Sequence, residues 1–171
     1  MAINFSQGSI QAYLETNNYR IQFPQNTRFK DWPAFHAYKN DGHMTVNWGT
    51  SYPDIIFNGT HVNNGNDYST TTGRYTAPIA GYYWFYFWSM DHGGATQYVN
   101  DYVRLRRNNS TVDVNSLRIY TSSDGAYRSY AAGGYVQYMN AGDFVSVNNV
   151  NRSCYGTSAV YLHFSGCLIT I

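Results

Sequence analysis

The histidines and the acidic side chains are the first residues of this chain to consider for catalysis or metal binding. The histidines are His36, His43, His61, His92 and His163. They show neither the H-E-x-x-H nor the H-x-H spacing typical of zinc sites. Asp91 precedes His92, but an aspartate in a turn beside a surface histidine is common without any catalytic role. Glu15 is the only glutamate, and no G-x-S-x-G motif or phosphate-binding loop is present. We therefore predict a protein that is not an enzyme, with no catalytic residues, cofactor-binding residues or metal site.

Arg104, Arg106 and Arg107 form the only basic cluster, and they alternate with Val103 and Leu105. We interpret this run as a strand with a solvated face, and binding of an anionic ligand is the alternative. The net charge of +1 gives no electrostatic basis for binding nucleic acid or an acidic membrane. No apolar run approaches the length of a membrane span. We expect no nucleic-acid partner and no membrane insertion.

The two cysteines, Cys154 and Cys167, lack the spacing of a metal site, and we expect buried thiols. A disulfide between the last two strands is the alternative. The opening MAINFSQGSIQAYLE has neither a basic region nor a long apolar core, so we expect no signal peptide and folding in a cytoplasm. The sequons at Asn58 and Asn151 are then expected to be chance matches.

The composition favours a single all-β domain. Aromatic residues make up 18% of the chain and charged residues 12%, and short alternating runs are separated by turn residues such as Gly and Asn. This pattern is typical of a sandwich or jelly roll. The predicted strands are Phe35–Lys39, Ile55–Asn58, Arg74–Ala77, Tyr82–Met90, Tyr102–Arg107, Val112–Tyr120, Tyr130–Met139, Phe144–Val150 and Val160–Ile171.

The segment GYYWFYFWSM, residues 81–90, carries aromatic residues on both faces of one predicted strand. An antiparallel strand at the surface of a monomer normally has one polar face. Aromatic residues on both faces predict that one face packs in the core and the other packs against a second molecule. A tyrosine-rich ligand groove on a monomer is the alternative.

Residues 1–32 have a different pattern. GSIQAYLETNN could form two helical turns capped by Ser9, and YRIQFP alternates like a strand. The segment is too short for a domain but too apolar to remain unpacked. We expect an arm that attaches the protein to a larger assembly, with an extra strand on its own head as the alternative.

Eight residues between positions 57 and 87 have the spacing of a known motif. Four shorter sequence motifs occur with them in a defined order. The residues are Phe57, Asn63, Tyr68, Tyr75, Gly81, Tyr83, Phe85 and Phe87; the motifs are PAFHAY, LRRNN, MNAGDFVSV and LHFSGCLI. Together they resemble the signature of the complement C1q globular-head family, a branch of the tumour-necrosis-factor-like jelly rolls. The resemblance covers about Pro33 to Ile171. Tyr75 and Cys167 stand where the family has Phe.

The resemblance implies a jelly-roll sandwich of two antiparallel sheets in residues 33–171, assembled as a homotrimer. The implied structural core adds Gly142, Asp143, Phe164 and Gly166 to the eight residues above. The implied trimer interface consists of Tyr82, Trp84, Tyr86, Tyr138 and His163. Some family members bind calcium through loop aspartates, but loop carboxylates are sparse here, and we predict no metal.

The expected function is that of a non-enzymatic homotrimeric virion surface protein of a bacteriophage, either a capsid decoration protein or the tip of a fibre. The opening MAINF is similar to the start of some phage structural proteins, and no collagen-like stalk is present. The expected partners are further copies of the chain, other virion proteins through residues 1–32, and a glycan or protein of the host surface. The alternative is a soluble, extracellular C1q-domain recognition protein that binds glycans or cell-surface proteins and whose leader is missing.

Overall fold

The structure is a computed structural model, and it describes residues 3–4, 11–14, 21–22, 32–42, 54–90, 102–109, 118–120, 130–150, 154 and 156–171. The chain divides into two compact units, Met1–Asp31 and Trp32–Ile171. Trp32, which the sequence placed in the arm, donates a hydrogen bond from its indole nitrogen to the carbonyl of Leu168 in the second unit. Within the described ranges, no helix has the length and apolar character needed to cross a bilayer.

The first unit contains a three-stranded antiparallel sheet in the order β1-β2-β3. Its strands are β1 (Ile3–Asn4), β2 (Gln11–Leu14) and β3 (Ile21–Gln22). The helix predicted for this region is therefore wrong over Gln11–Leu14; Ser9, its expected cap, lies outside the described residues. A two-turn helix is marginal in water, whereas β2 pairs with a strand on each side.

The second unit is a sandwich of two five-stranded sheets in which every strand pair is antiparallel. The inner sheet, in the order β11-β8-β13-β4-β5, contains β4 (Ala34–Tyr38), β5 (Gly59–Asn63), β8 (Gly81–Met90), β11 (Tyr130–Met139) and β13 (Leu162–Thr170). The outer sheet, in the order β10-β9-β12-β7-β6, contains β6 (Tyr68–Ser69), β7 (Arg74–Thr76), β9 (Tyr102–Arg107), β10 (Arg118–Tyr120) and β12 (Phe144–Val150). The all-β prediction with two antiparallel sheets is confirmed.

The core lies between the sheets and is largely aromatic. Alternation along β8 turns Tyr83, Phe85 and Phe87 inward, where all three are fully buried. Phe35 of β4 lies at the centre, with its ring 4.5 Å from that of Tyr75 and 4.8 Å from that of Phe164. Offset and edge-to-face pairs of this kind add to the free energy gained from burial.

The predicted strand Ile55–Asn58 does not form, and β5 follows it instead. Asp54 makes a single bridge to Asn148 of the outer sheet, whereas β5 pairs with β4 of the inner sheet. The chain therefore crosses from one sheet to the other between these points and has no continuous partner strand. Ile55 and Phe57 are nevertheless fully buried, because they close the core where the chain crosses.

Asn63 and Tyr68 connect the two sheets at the end of β5. The Asn63 side-chain amide donates to the Tyr68 carbonyl at 2.9 Å, and its oxygen accepts from the Tyr68 backbone N–H at 2.9 Å. The buried Tyr68 hydroxyl lies 3.3 Å from both the nitrogen and the oxygen of the Phe57 backbone. These three residues of the motif thus satisfy one another's polar groups inside the fold.

Two motif glycines allow close packing, and a third forms a turn. A Cβ on Gly166 would lie 2.6 Å from the Phe85 ring, and one on Gly81 would lie 2.6 Å from the Thr170 carbonyl oxygen. Gly142, with φ of +87°, turns the chain between β11 and β12. The next residue, Asp143, accepts hydrogen bonds from the Asn140 backbone and the Asn108 side chain, and these bonds lower the pKa of its carboxyl group.

The cysteines do not form the alternative disulfide. Cys154 is fully buried and Cys167 is half-buried on β13. Burial raises the pKa of the Cys167 thiol, which keeps it protonated.

Phe85→Ala is expected to destabilise the protein by roughly 3–5 kcal/mol, because it leaves a cavity among the rings of Phe35, Tyr83 and Phe164. Denaturant unfolding monitored by circular dichroism measures the loss. Ile56→Ala is the matched control, since Ile56 is 42% exposed beside the same core. Equal losses for the two variants would contradict the placement of Phe85 in the core.

Candidate interaction surface

The outward face of the inner sheet carries a row of large aromatic side chains. We call Tyr82, Trp84, Tyr86, Val136 and Tyr138 the aromatic face. Tyr82, Trp84, Val136 and Tyr138 are exposed by 49%, 39%, 54% and 43%, and Tyr86 is half-buried. Tyr82, Trp84 and Tyr86 point outward because the residues that alternate with them along β8 point into the core. Val136 and Tyr138 lie opposite Trp84 and Tyr82 on β11.

Strand register makes the aromatic face continuous. Tyr82 pairs with Tyr138 and Trp84 pairs with Val136 across β8 and β11. The Tyr82 and Tyr138 rings meet edge to face at 5.2 Å, and Trp84 stacks on Tyr86 at 5.5 Å. A contiguous apolar surface of this kind on a folded protein typically marks a site of interaction with another molecule.

Three histidines meet on the same side of the inner sheet, next to β8. We call His36 of β4, His61 of β5 and His163 of β13 the histidine cluster. His36 Nε2 and His163 Nδ1 lie 3.0 Å apart, within hydrogen-bond distance, and the His36 and His61 ring centroids are 5.0 Å apart. The His163 ring lies 5.5 Å from that of Trp88, which joins the cluster to the aromatic residues of β8.

Protonation of this cluster is unfavourable. Burial lowers the pKa of His36, and a charge on His163 or His61 would lower it further. Burial also lowers the pKa of His163, and His61 adds to the effect. The His36 and His163 imidazoles are therefore held neutral at neutral pH, and the hydrogen bond between them satisfies part of their polar surface.

All five residues predicted for the trimer interface lie on this side of the inner sheet. Tyr82, Trp84 and Tyr86 extend along β8, Tyr138 lies beside them on β11, and His163 lies on the opposite flank on β13. Sequence reasoning missed His36 and His61. No spacing signal marks them, because β4, β5 and β13 come together only through sheet pairing.

The described residues contain no group of three or more His, Cys, Asp or Glu side chains arranged to hold a metal ion. In the histidine cluster, the two nearest nitrogens are directed at each other. The predicted absence of a metal site and of catalytic residues also concerned His43, Asp91 and His92, which lie outside the described residues.

Residues 34–169 match the family model described as the C1q domain. Complement C1q tumor necrosis factor-related protein 3 is 29% identical over 126 residues in both Mus musculus and Homo sapiens. The aligned region covers 74% of this chain and 48% of each relative, so the chain spans about half the length of these curated relatives.

Solved structures with the same fold include the globular domain of zebrafish complement 1qA protein, with a TM-score of 0.57 and 21% identity over 80% of this chain and 97% of that one. Eiger TNF from S. frugiperda has a TM-score of 0.58 and 13% identity, covering 82% and 94%. Murine APRIL has a TM-score of 0.56 and 11% identity, covering 80% and 98%. At these identities the likeness shows the fold, which is the C1q/TNF jelly roll. Because the family model spans nearly all of the two-sheet unit, the chain belongs to the C1q domain family.

Proposed function

We propose that this protein is a non-enzymatic, homotrimeric binding module whose aromatic face packs against neighbouring copies. C1q and TNF domains are typically homotrimeric and bind other proteins or glycans. The exposure of Tyr82, Trp84, Val136 and Tyr138 on one continuous surface carries the proposal for this chain.

The chemistry of the aromatic face favours a second copy of the chain as its partner. The outward-facing residues described on β8 and β11 include no charged side chain, and the apolar interior of an obligate interface has this character. Packing against another copy also removes from water the rings that would otherwise promote aggregation. A tyrosine-rich groove that binds a small ligand on a monomer remains the alternative and predicts a different mass in solution.

Two settings are open to such a trimer. In the first, it is a virion surface protein, a decoration protein or a fibre tip, held on the particle by residues 1–32; the opening MAINF supports this setting. In the second, it is a soluble extracellular recognition protein, which the curated relatives support. Recovery of the protein in purified phage particles, or a gene neighbourhood of virion proteins, distinguishes the first setting from the second.

We propose for the first setting that the Met1–Asp31 unit is the attachment arm. The described strands of this unit pair with one another in a sheet of their own. Three copies of an arm in one trimer would turn weak contacts into firm attachment. The head of each protomer then presents its remaining surfaces to a ligand.

The Trp84→Glu variant tests the proposed assembly. We expect light scattering of the wild-type protein to give three times the protomer mass of 19.5 kDa, and the variant to be monomeric, because it places an unpaired charge in an apolar interface. The protomer should stay folded, since Trp84 is 39% exposed in the single chain. Ile56→Glu places the same charge on an isoleucine of similar exposure and should leave the trimer intact. A monomeric wild type, or a trimeric Trp84→Glu variant, would contradict the proposal.

Acidification should destabilise the assembled protein through the histidine cluster. The pKa values of His36 and His163 are lowered below 6.5 in the folded state, so the unfolded chain binds more protons as the pH falls through that value. The free energy of unfolding is therefore highest at a pH above the pKa that these histidines have in the unfolded chain, and it falls progressively as the pH drops below that pKa. The melting temperature should be lower at about pH 5 than at about pH 7.5. In the His36→Gln/His163→Gln variant this difference should shrink, and an unchanged difference would show that other groups cause it.

Deletion of residues 1–30 tests the attachment arm. We expect a soluble trimeric head with near-normal melting that no longer sediments with particles, because the deletion ends before the Trp32–Ile171 unit. The full-length chain is the control in both measurements. A truncated head that aggregates or melts at a much lower temperature would show instead that the segment is needed by its own head.

A further inference from the structure

The outward face of the outer sheet carries arginines around a buried serine. Ser146 of β12 pairs with Arg74 of β7 on one side and with Arg106 of β9 on the other. Arg104 lies two residues before Arg106 on the same face of β9. We call Arg74, Arg104 and Arg106 the arginine patch. Within β9, the intervening Leu105 points into the core.

The arginine patch has more positive charge than its neighbours balance. The Nη2 atoms of Arg74 and Arg106 lie 3.1 Å and 3.4 Å from one neutral acceptor, the Asn109 side-chain oxygen. Arg106 also pairs with Asp54 at 2.8 Å, and Arg104 donates to the Asn148 side chain at 2.7 Å. In the described part of the chain, the carboxylate of Asp54 is the only one that contacts any of these three guanidinium groups, and it contacts that of Arg106.

Polar atoms inside the patch also lack partners. The Nε atoms of Arg74 and Arg106 and the Ser146 hydroxyl are buried, and no hydrogen bond to them is present within the described ranges. Ser146 is fully buried although it points outward, since the side chains around it cover it. A buried donor without a partner is unfavourable, so a shift of the arginine side chains that brings these donors to an oxyanion would be favoured.

We infer that the arginine patch binds an acidic polysaccharide, with a sulfate or carboxylate group between Arg74 and Arg106 in place of the Asn109 oxygen. Both guanidinium groups already reach one oxygen atom, so a single oxyanion can contact both. Arg104 provides a further positive charge along β9 for the next acidic group of a linear chain. This inference supplies a ligand class for the binding module proposed above.

The surroundings of the patch favour a polysaccharide over an acidic peptide. A hydroxyl and an amide side chain flank the arginines at Ser69 and Asn109, and such groups can both donate to and accept from sugar hydroxyls. The patch lies on the opposite side of the sandwich from the aromatic face, so assembly through that face leaves it free. A trimer then presents three patches, which strengthens binding to a repeating ligand.

Heparin binding to the full-length chain, measured by calorimetry, tests the inference. We expect Arg74→Gln to weaken binding about tenfold or more and to reduce its salt dependence, because charge-assisted hydrogen bonds are lost. Lys39→Gln, which removes one positive charge beside β4, should bind like the wild type. Arg74→Lys should bind with intermediate strength, since lysine keeps the positive charge but cannot form the bidentate hydrogen bonds of a guanidinium group.

Light scattering and thermal melting show whether each variant is still a folded trimer, so that a loss of binding can be separated from a loss of structure or assembly. If Arg74→Gln is a folded trimer with weakened binding, the patch is supported; if the wild type proves monomeric yet loses binding in this variant, the patch stands without the proposed assembly. Should Arg74→Gln fail to fold, Arg74→Lys and Arg106→Lys carry the test. Equal loss in Lys39→Gln, wild-type binding in the arginine variants, or equally tight binding of polyglutamate would overturn the inference.

Discussion

Side-chain alternation along β8 is the constraint on which the rest of the structure depends. This strand lies between β11 and β13, and it turns Tyr83, Phe85 and Phe87 into the core. The same geometry forces Tyr82 and Trp84 to the outside, because successive residues of a strand face opposite ways. The outward aromatic side chains stay exposed in the single chain, and the proposed assembly would cover them with a neighbouring copy.

The two outer surfaces of the sandwich have opposite chemistry. The outward face of the inner sheet is aromatic along β8 and β11, with the histidine cluster on its flank. The outward face of the outer sheet contains guanidinium, amide and hydroxyl groups. In the proposed function, the first surface packs against like copies and the second contacts a hydrated, charged ligand, so that assembly and binding would not compete.

A few closely packed or hydrogen-bonded positions hold the C1q/TNF fold of this chain together. The Asn63 side chain satisfies both the backbone N–H and the carbonyl of Tyr68 where the chain enters the outer sheet. Gly81 and Gly166 lie where a side chain would overlap the backbone of β13 or the rings of the core. Tyr75 stands where the resembled family has Phe, and its ring is fully buried in the core.

The sequence by itself determined the all-β class, most of the strands and the two faces of β8, because these follow from composition and local alternation. It also indicated the family, through residues whose spacing reflects turns and close packing. Tertiary structure alone decided the position of β5, because residues 55–58 alternate like a strand but cross between sheets. It likewise decided the strand at Gln11–Leu14, where pairing outweighs a marginal helix. Tertiary structure also produced the histidine cluster and the arginine patch. Their members lie far apart in the chain, and only the pairing of strands brings them together.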